Sequence, residues 1–91
     1  MPIFKFKTED EAIEIANKSE FGLGAVIFTK SIERAKRIAK YIEAGNVAIN
    51  LQVRSDPKLP FGGVKKSGVG RELSRYGILE FVNIKSVMIK Y

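Results

Sequence analysis

Two short runs, "GAVIF" at residues 24–28 and "NVAIN" at 46–50, flank a single amphipathic stretch, and this arrangement restricts the fold severely. Ala25 to Phe28 is apolar at every position, as a strand covered on both faces should be. The stretch between the runs opens at Ser31, whose hydroxyl suits a helix N-cap, and Glu33 lies where the helix dipole favours an anion. Ile32, Ala35, Ile38, Ala39 and Ile42 recur at helical spacing. The pattern predicts a helix to about Ala44, with Gly45 in the left-handed position that ends it. Two apolar strands joined through one helix demand parallel pairing and a right-handed crossover. Upstream, Ile3 to Lys7 alternates apolar and basic residues and reads as a further strand. Thr8 and Glu11 have the spacing of a capping box, Ala12, Ile13, Ile15 and Ala16 form a helical apolar face, and Asn17 to Glu20 should end that helix. Gly22 and Gly24 then make a turn.

The expected fold class is therefore α/β. A βαβαβ parallel core is followed by a long Gly-rich loop over 51–70, a helix within 71–81 weakened by Gly77, and a C-terminal edge strand. Val87, Ile89 and Tyr91 would share one face of that strand. The chain reads as one domain, 1–91. Its long loop exceeds what a mere connection needs, so it is functional or expects other contacts.

Composition excludes several kinds of chemistry. The chain has no cysteine and no histidine. Disulfides, thiolate nucleophiles, most zinc sites and the usual neutral-pH proton shuttle are all removed, and no metal-binding residues are assigned. No apolar run is long enough to span a bilayer, and no secretory leader is evident, so no membrane partner is expected and the expected location is cytoplasmic. Sixteen Lys and Arg against ten acids give a net charge of +6. The densest cluster, Arg34, Lys36, Arg37 and Lys40, falls mostly opposite the apolar positions of its helix and reads as a solvated face. No aromatic stacking platform accompanies it, so nucleic acid is not the expected partner.

The segment "PFGGVKKSGVGRE", residues 60–72, raises the question of a phosphate loop. Gly63 and Gly68 have the first spacing of a Walker A loop, but Val69 and Gly70 stand where Lys and Ser or Thr are required. Gly68-Val69-Gly70 begins a dinucleotide fingerprint, but Leu73 occupies its third glycine. A bare phosphate nest of backbone amides stays open. The favoured reading is that the glycines supply positive φ and close backbone approach. Lys65 and Lys66 read most simply as solubilising.

The residues Pro60, Gly62, Gly63, Ser67, Gly68, Gly70, Arg71 and Glu72 give this segment its likeness to a known signature. It resembles the C-terminal P-F-G-G-x-K-x-S-G-x-G-R-E motif of the aldehyde dehydrogenase superfamily. The stretch from Glu9 to Asn50 is similar to that family's closing βαβαβ segment, and "SDPKLPFGG" resembles its succinate-semialdehyde dehydrogenase branch. The resemblance implies a partial catalytic domain, with family members several times longer than this chain. In them a cysteine thiolate attacks the aldehyde, hydride passes to NAD or NADP, and a glutamate activates water. By resemblance those parts lie upstream, so no catalytic or cofactor-binding residue is assigned here and the chain holds no cofactor of its own.

What the resemblance implies for individual residues is narrower. Phe61 would wall the substrate channel, Gln52 to Asp56 would shape the pocket mouth, and Ser55 and Arg54 would meet a substrate carboxylate. Arg54 reads equally as a solvated loop residue. Arg71 reads as part of a structural network, and Glu72 stays open between the two roles. Ser74 departs from the glycine common after "GREL", which would loosen a close helix approach. Residues 84–91 resemble the family's oligomerisation strand, which implies a homo-oligomer through that edge or docking on an upstream aldehyde dehydrogenase fragment. The resulting expectation is a truncated aldehyde dehydrogenase segment, inactive alone, whose family activity is NAD(P)-dependent oxidation of an aldehyde such as succinate semialdehyde. The alternatives are a subunit of a split enzyme and a small basic module for an anionic partner.

Overall fold

A computed structural model describes all 91 residues. The centre is a βαβ unit in which β2 (Gly24–Ile27) and β3 (Asn46–Ile49) pair in parallel across α2 (Ile32–Ala39). α1 (Glu9–Asn17) precedes it. A second, antiparallel pair joins β1 (Phe21–Gly22) to β4 (Val64–Lys65), and α3 (Ser74–Leu79) closes the ordered elements. The molecule is thus mixed α/β, with parallel and antiparallel strands.

Local chemistry explains the helix starts. Thr8 Oγ1 accepts from the Glu11 amide at 3.2 Å, and the Glu11 carboxylate reaches back to the Lys7 amide at 2.7 Å. Ser31 Oγ accepts from the Arg34 amide in the same way. The two helices are joined by charge, since Glu9 pairs with both Arg34 and Arg37. These contacts hold the Glu9 carboxyl below its usual range, the Arg37 hydrogen bond foremost, with burial opposing and Arg34 adding to the fall.

Several expectations are corrected. α2 stops at Ala39 and does not reach Ala44. Past its end, Asn17 Nδ2 donates to the Tyr41 carbonyl at 2.7 Å and Asn17 Oδ1 accepts from the Glu43 amide at 2.9 Å. Groups that would continue the helix are spent on α1. Gly45 does not take the left-handed conformation, which only Gly68 and Gly70 adopt among the glycines. Residues 3–7 form no strand, because no neighbour offers its backbone a ladder, and Ile3, Phe4 and Phe6 lie exposed. The βαβαβ core is therefore one βαβ unit. β2 is not covered on both faces, for its residues alternate between exposed and half-buried. The C-terminal segment 84–91 likewise pairs with nothing in the chain, and Ile84, Val87, Ile89 and Tyr91 are each at least 70% exposed. The span 51–70 is not wholly irregular, since β4 lies within it.

The molecule has almost no closed core. Ala35 is its only buried hydrophobic side chain. Its accessible surface of 8041 Å² is about 1.5 times the ~5,300 Å² of a folded monomer this long. The radius of gyration is 17.3 Å, against about 12 Å for a self-contained domain. The 31 backbone hydrogen bonds compare with about 60 for such a domain. Parallel sheets are stable only when layered on both faces, and two strands alone are marginal.

Candidate substrate channel and the glycine-rich hairpin

The segment 60–72 is a hairpin pressed against the sheet. Its base is closed by reciprocal 2.8 Å hydrogen bonds between the backbones of Phe61 and Glu72. Its flank lies against the start of β3, where Asn46 Nδ2 donates to the Gly62 carbonyl at 2.8 Å and to the Leu23 carbonyl at 2.9 Å. The contact is so close that a Cβ on Gly45 would overlap the Gly62 carbonyl oxygen. Gly45 thus serves backbone approach in place of helix termination.

Arg71 holds the hairpin from within. Its Nη1 donates to the Gly63 carbonyl at 2.9 Å and the Gly70 carbonyl at 2.7 Å, and its amide donates to Glu80. The guanidinium hydrogen bonds it makes are to backbone carbonyls. Glu72 contributes backbone bonds to Phe61 and leaves its side chain exposed. Ser67 Oγ accepts from the Gly22 amide at 2.9 Å and extends the β1–β4 pairing.

Lys65 is where the sequence reading fails. Its Nζ donates to the carbonyls of Asn17 at 2.7 Å and Ser19 at 3.0 Å, and it pairs with the Glu43 carboxylate at 2.6 Å. Three ammonium hydrogens meet three acceptors, two of them backbone carbonyls at and just past the end of α1. Lys66 reaches Glu20 at 2.8 Å on the exposed side. Solubilising describes Lys66 in part and Lys65 not at all. Asn17, Asn46 and Glu43 were also missed. Asparagines at both ends of "NVAIN" were the available signal, because such side chains readily bond backbone.

The prospective channel lies beyond β3. Asn50 takes φ 57° and turns the chain there, while its side chain donates to the Thr29 carbonyl at 2.8 Å and accepts from the Thr29 amide at 2.9 Å. The loop that follows encloses a groove of about 480 Å³ with Val47, Val53, Leu59 and Phe61 among its apolar walls. Arg54 and Asp56 also line it, and Ser55 does not. Asp56 Oδ1 accepts from the Lys58 amide, so that carboxylate also shapes the turn. The structure therefore brings Phe61 and Arg54 together and leaves Ser55 on the exposed surface.

Ser74 takes φ 57°, so glycine suits that position for its backbone freedom. The close approach expected there occurs at Gly77, where a Cβ would come within 2.8 Å of the Glu72 carbonyl carbon.

The amides of Phe61, Lys66, Ser67 and Arg71 are all engaged by protein carbonyls or by Glu80. Lys65 is saturated, and Leu73, which precedes α3, gives it no side-chain cap. No group of acidic side chains is arranged to hold a metal, and no helix is long and apolar enough to cross a membrane.

The profile of the aldehyde dehydrogenase family matches residues 1–87. The chain belongs to the aldehyde dehydrogenase family. An NADP(+) succinate-semialdehyde dehydrogenase of Deinococcus radiodurans is 48% identical over 85 residues, covering 93% of this chain and 18% of that protein. The crystal structure of a succinic semialdehyde dehydrogenase from Streptococcus pyogenes, in complex with NADP+, superposes with a TM-score of 0.89 at 49% identity. That match covers 94% of this chain and 19% of the other. A Staphylococcus aureus betaine aldehyde dehydrogenase in complex with NAD+ gives a TM-score of 0.80 at 43% identity, over 84% of this chain and 15% of its own. This aldehyde dehydrogenase chain spans less than a fifth of the length of such relatives.

Proposed function

We propose that this segment supplies one wall and the carboxylate-reading mouth of an aldehyde channel, in an NAD(P)-dependent oxidation whose reacting groups lie outside these residues. Aldehyde oxidation in this family runs through a thiolate adduct, and the chain contains no sulfur nucleophile. Alone it is inactive. The cysteine, the water-activating glutamate and the NAD(P) site come from the family's remaining polypeptide, against which the extra exposed surface packs.

The observation that carries the reading is the joint placement of Phe61 and Arg54 in one groove. An apolar wall of that volume accepts a short carbon chain, and a guanidinium at its rim offers a bidentate partner to a terminal carboxylate. A semialdehyde acid has both parts. Ser55 lies outside the groove in the isolated segment, and its role in carboxylate binding depends on the loop closing when the remaining polypeptide is present.

The test joins the segment to the cysteine-bearing part of a family enzyme and follows NAD(P)H absorbance. Arg54→Gln should raise KM for succinate semialdehyde about 10- to 100-fold, the value of a charge-assisted pair, and leave an uncharged aldehyde of equal length nearly unaffected. Equal effects on both aldehydes would overturn the carboxylate assignment.

A second reading concerns assembly. The unpaired segment 84–91 presents apolar side chains on an open backbone edge. Such an edge recruits another strand, from a second copy of this segment or from an upstream part of a family enzyme.

A further inference from the structure

We infer that Lys65 is a positioning residue that latches the glycine-rich hairpin and thereby sets where Phe61 stands in the groove. The functional half of this inference rests on the channel reading above; the structural half stands without it. Lys65 lies at φ 54°, a left-handed conformation that a lysine keeps only when its surroundings hold it there. Its backbone pairing and its ammonium contacts do this. The backbone of Lys65 pairs with Phe21, and its ammonium ties the C-terminal end of α1 to Glu43, just ahead of β3. Asn17 joins those same two regions through Tyr41 and Glu43, so the lysine inserts into a knot already tied.

The knot reaches Phe61 through few steps. Ser67 and Lys66 dock on Gly22 and Glu20, and Val64 pairs with Gly22. Gly62 and Gly63 are then pressed between Gly45, Asn46 and Arg71. Phe61 follows directly, held by the Glu72 ladder. The base of the hairpin has its own fasteners in Arg71 and Asn46, whereas the tip depends on residues 64–67 alone. Removing the ammonium takes away its bonds to Asn17, Ser19 and Glu43, and β4 then loses its register with β1. The tip lifts, and the displacement reaches the Phe61–Glu72 bonds through Gly62 and Gly63.

Amide hydrogen exchange and the NMR ring signals of Phe61, read in the full 91-residue chain, test this inference. Four variants separate the contributions: Lys65→Met removes the charge, Lys65→Gly removes the side chain while relieving the left-handed strain, Lys65→Arg keeps a cation, and Lys66→Met removes the neighbouring lysine. The expected result is exchange of the Phe61 and Glu72 amides about tenfold faster in Lys65→Met and Lys65→Gly, with shifted Phe61 ring signals. Lys65→Arg should restore protection to within about threefold, Lys66→Met should change it less than that, and the Ala35 amide in α2 should keep its rate. Where Lys65→Met fails to fold, Lys65→Gly decides the matter. Wild-type protection in Lys65→Gly, equal acceleration of Ala35, or no protection of Phe61 and Glu72 in the wild type would each overturn the latch. Failure of the dehydrogenase reading would appear separately, as no aldehyde turnover after reconstitution, and would leave the exchange result standing.

Discussion

Three positions show how one atom decides what a residue is for. At Gly45 a single added carbon would collide with the Gly62 carbonyl, and a backbone oxygen has nowhere to move. Gly45→Ala should cost about 3 kcal/mol or more, seen as loss of cooperative denaturant unfolding, because it separates the hairpin from β3. At Ser74 the sign reverses. A serine at φ 57° bears roughly 1–2 kcal/mol of left-handed strain, and glycine would relieve it at the expense of a freer unfolded chain. Ser74→Gly should therefore raise stability by about 0.5–1 kcal/mol, read as a shift in the denaturation midpoint. Lys65 shows why some roles stay hidden in the sequence. A lysine beside another lysine in a glycine-rich run reads as solvated by default, and only the three-dimensional return of Asn17, Ser19 and Glu43 gives its ammonium partners.

Helices and strands differ in how much of them a sequence reveals. The starts of α1 and α2 were legible because a cap is made within four residues of chain, from Thr8 with Glu11 and from Ser31 with Arg34. The parallel β2–β3 unit was legible because its two runs and the helix between them leave few topologies. Residues 3–7 and 84–91 carry strand-like patterns and form no strand, because a strand exists only with a partner and this chain contains none for them. The β1–β4 pair escaped notice for the opposite reason, being two residues long on each side with no periodicity to read. Phe61, Arg54 and Ser55 were named together by resemblance, and which of them line one groove depends on the way each loop residue faces, which the sequence does not give. The α1–α2 contact also carries a pH dependence. Glu9 is held below the ordinary glutamate range, so its contribution is complete above that range and is lost as pH falls through the depressed value. Helical ellipticity should fall over that acid window, and Glu9→Gln should flatten the titration by removing the group responsible.

The assembled chain measures 65 × 28 × 24 Å, an open piece with most of its large hydrophobic residues uncovered. Purified alone, it should elute as oligomers and bind a hydrophobic dye; light scattering that gave a clean monomer at high concentration would contradict this. It should also form no NAD(P)H with any aldehyde, since no cysteine is present to make the adduct. The hairpin's latch has a consequence in time. The bonds from Lys65 back to Asn17 and Ser19 span 48 and 46 positions of sequence, about half the polypeptide. Closing so wide a circuit costs chain entropy before any contact repays it, so these bonds belong to the last events of folding. On a ribosome, α1 and the βαβ unit emerge first and wait, their joint unsealed, until the glycine-rich run has been translated and can swing back to fasten them.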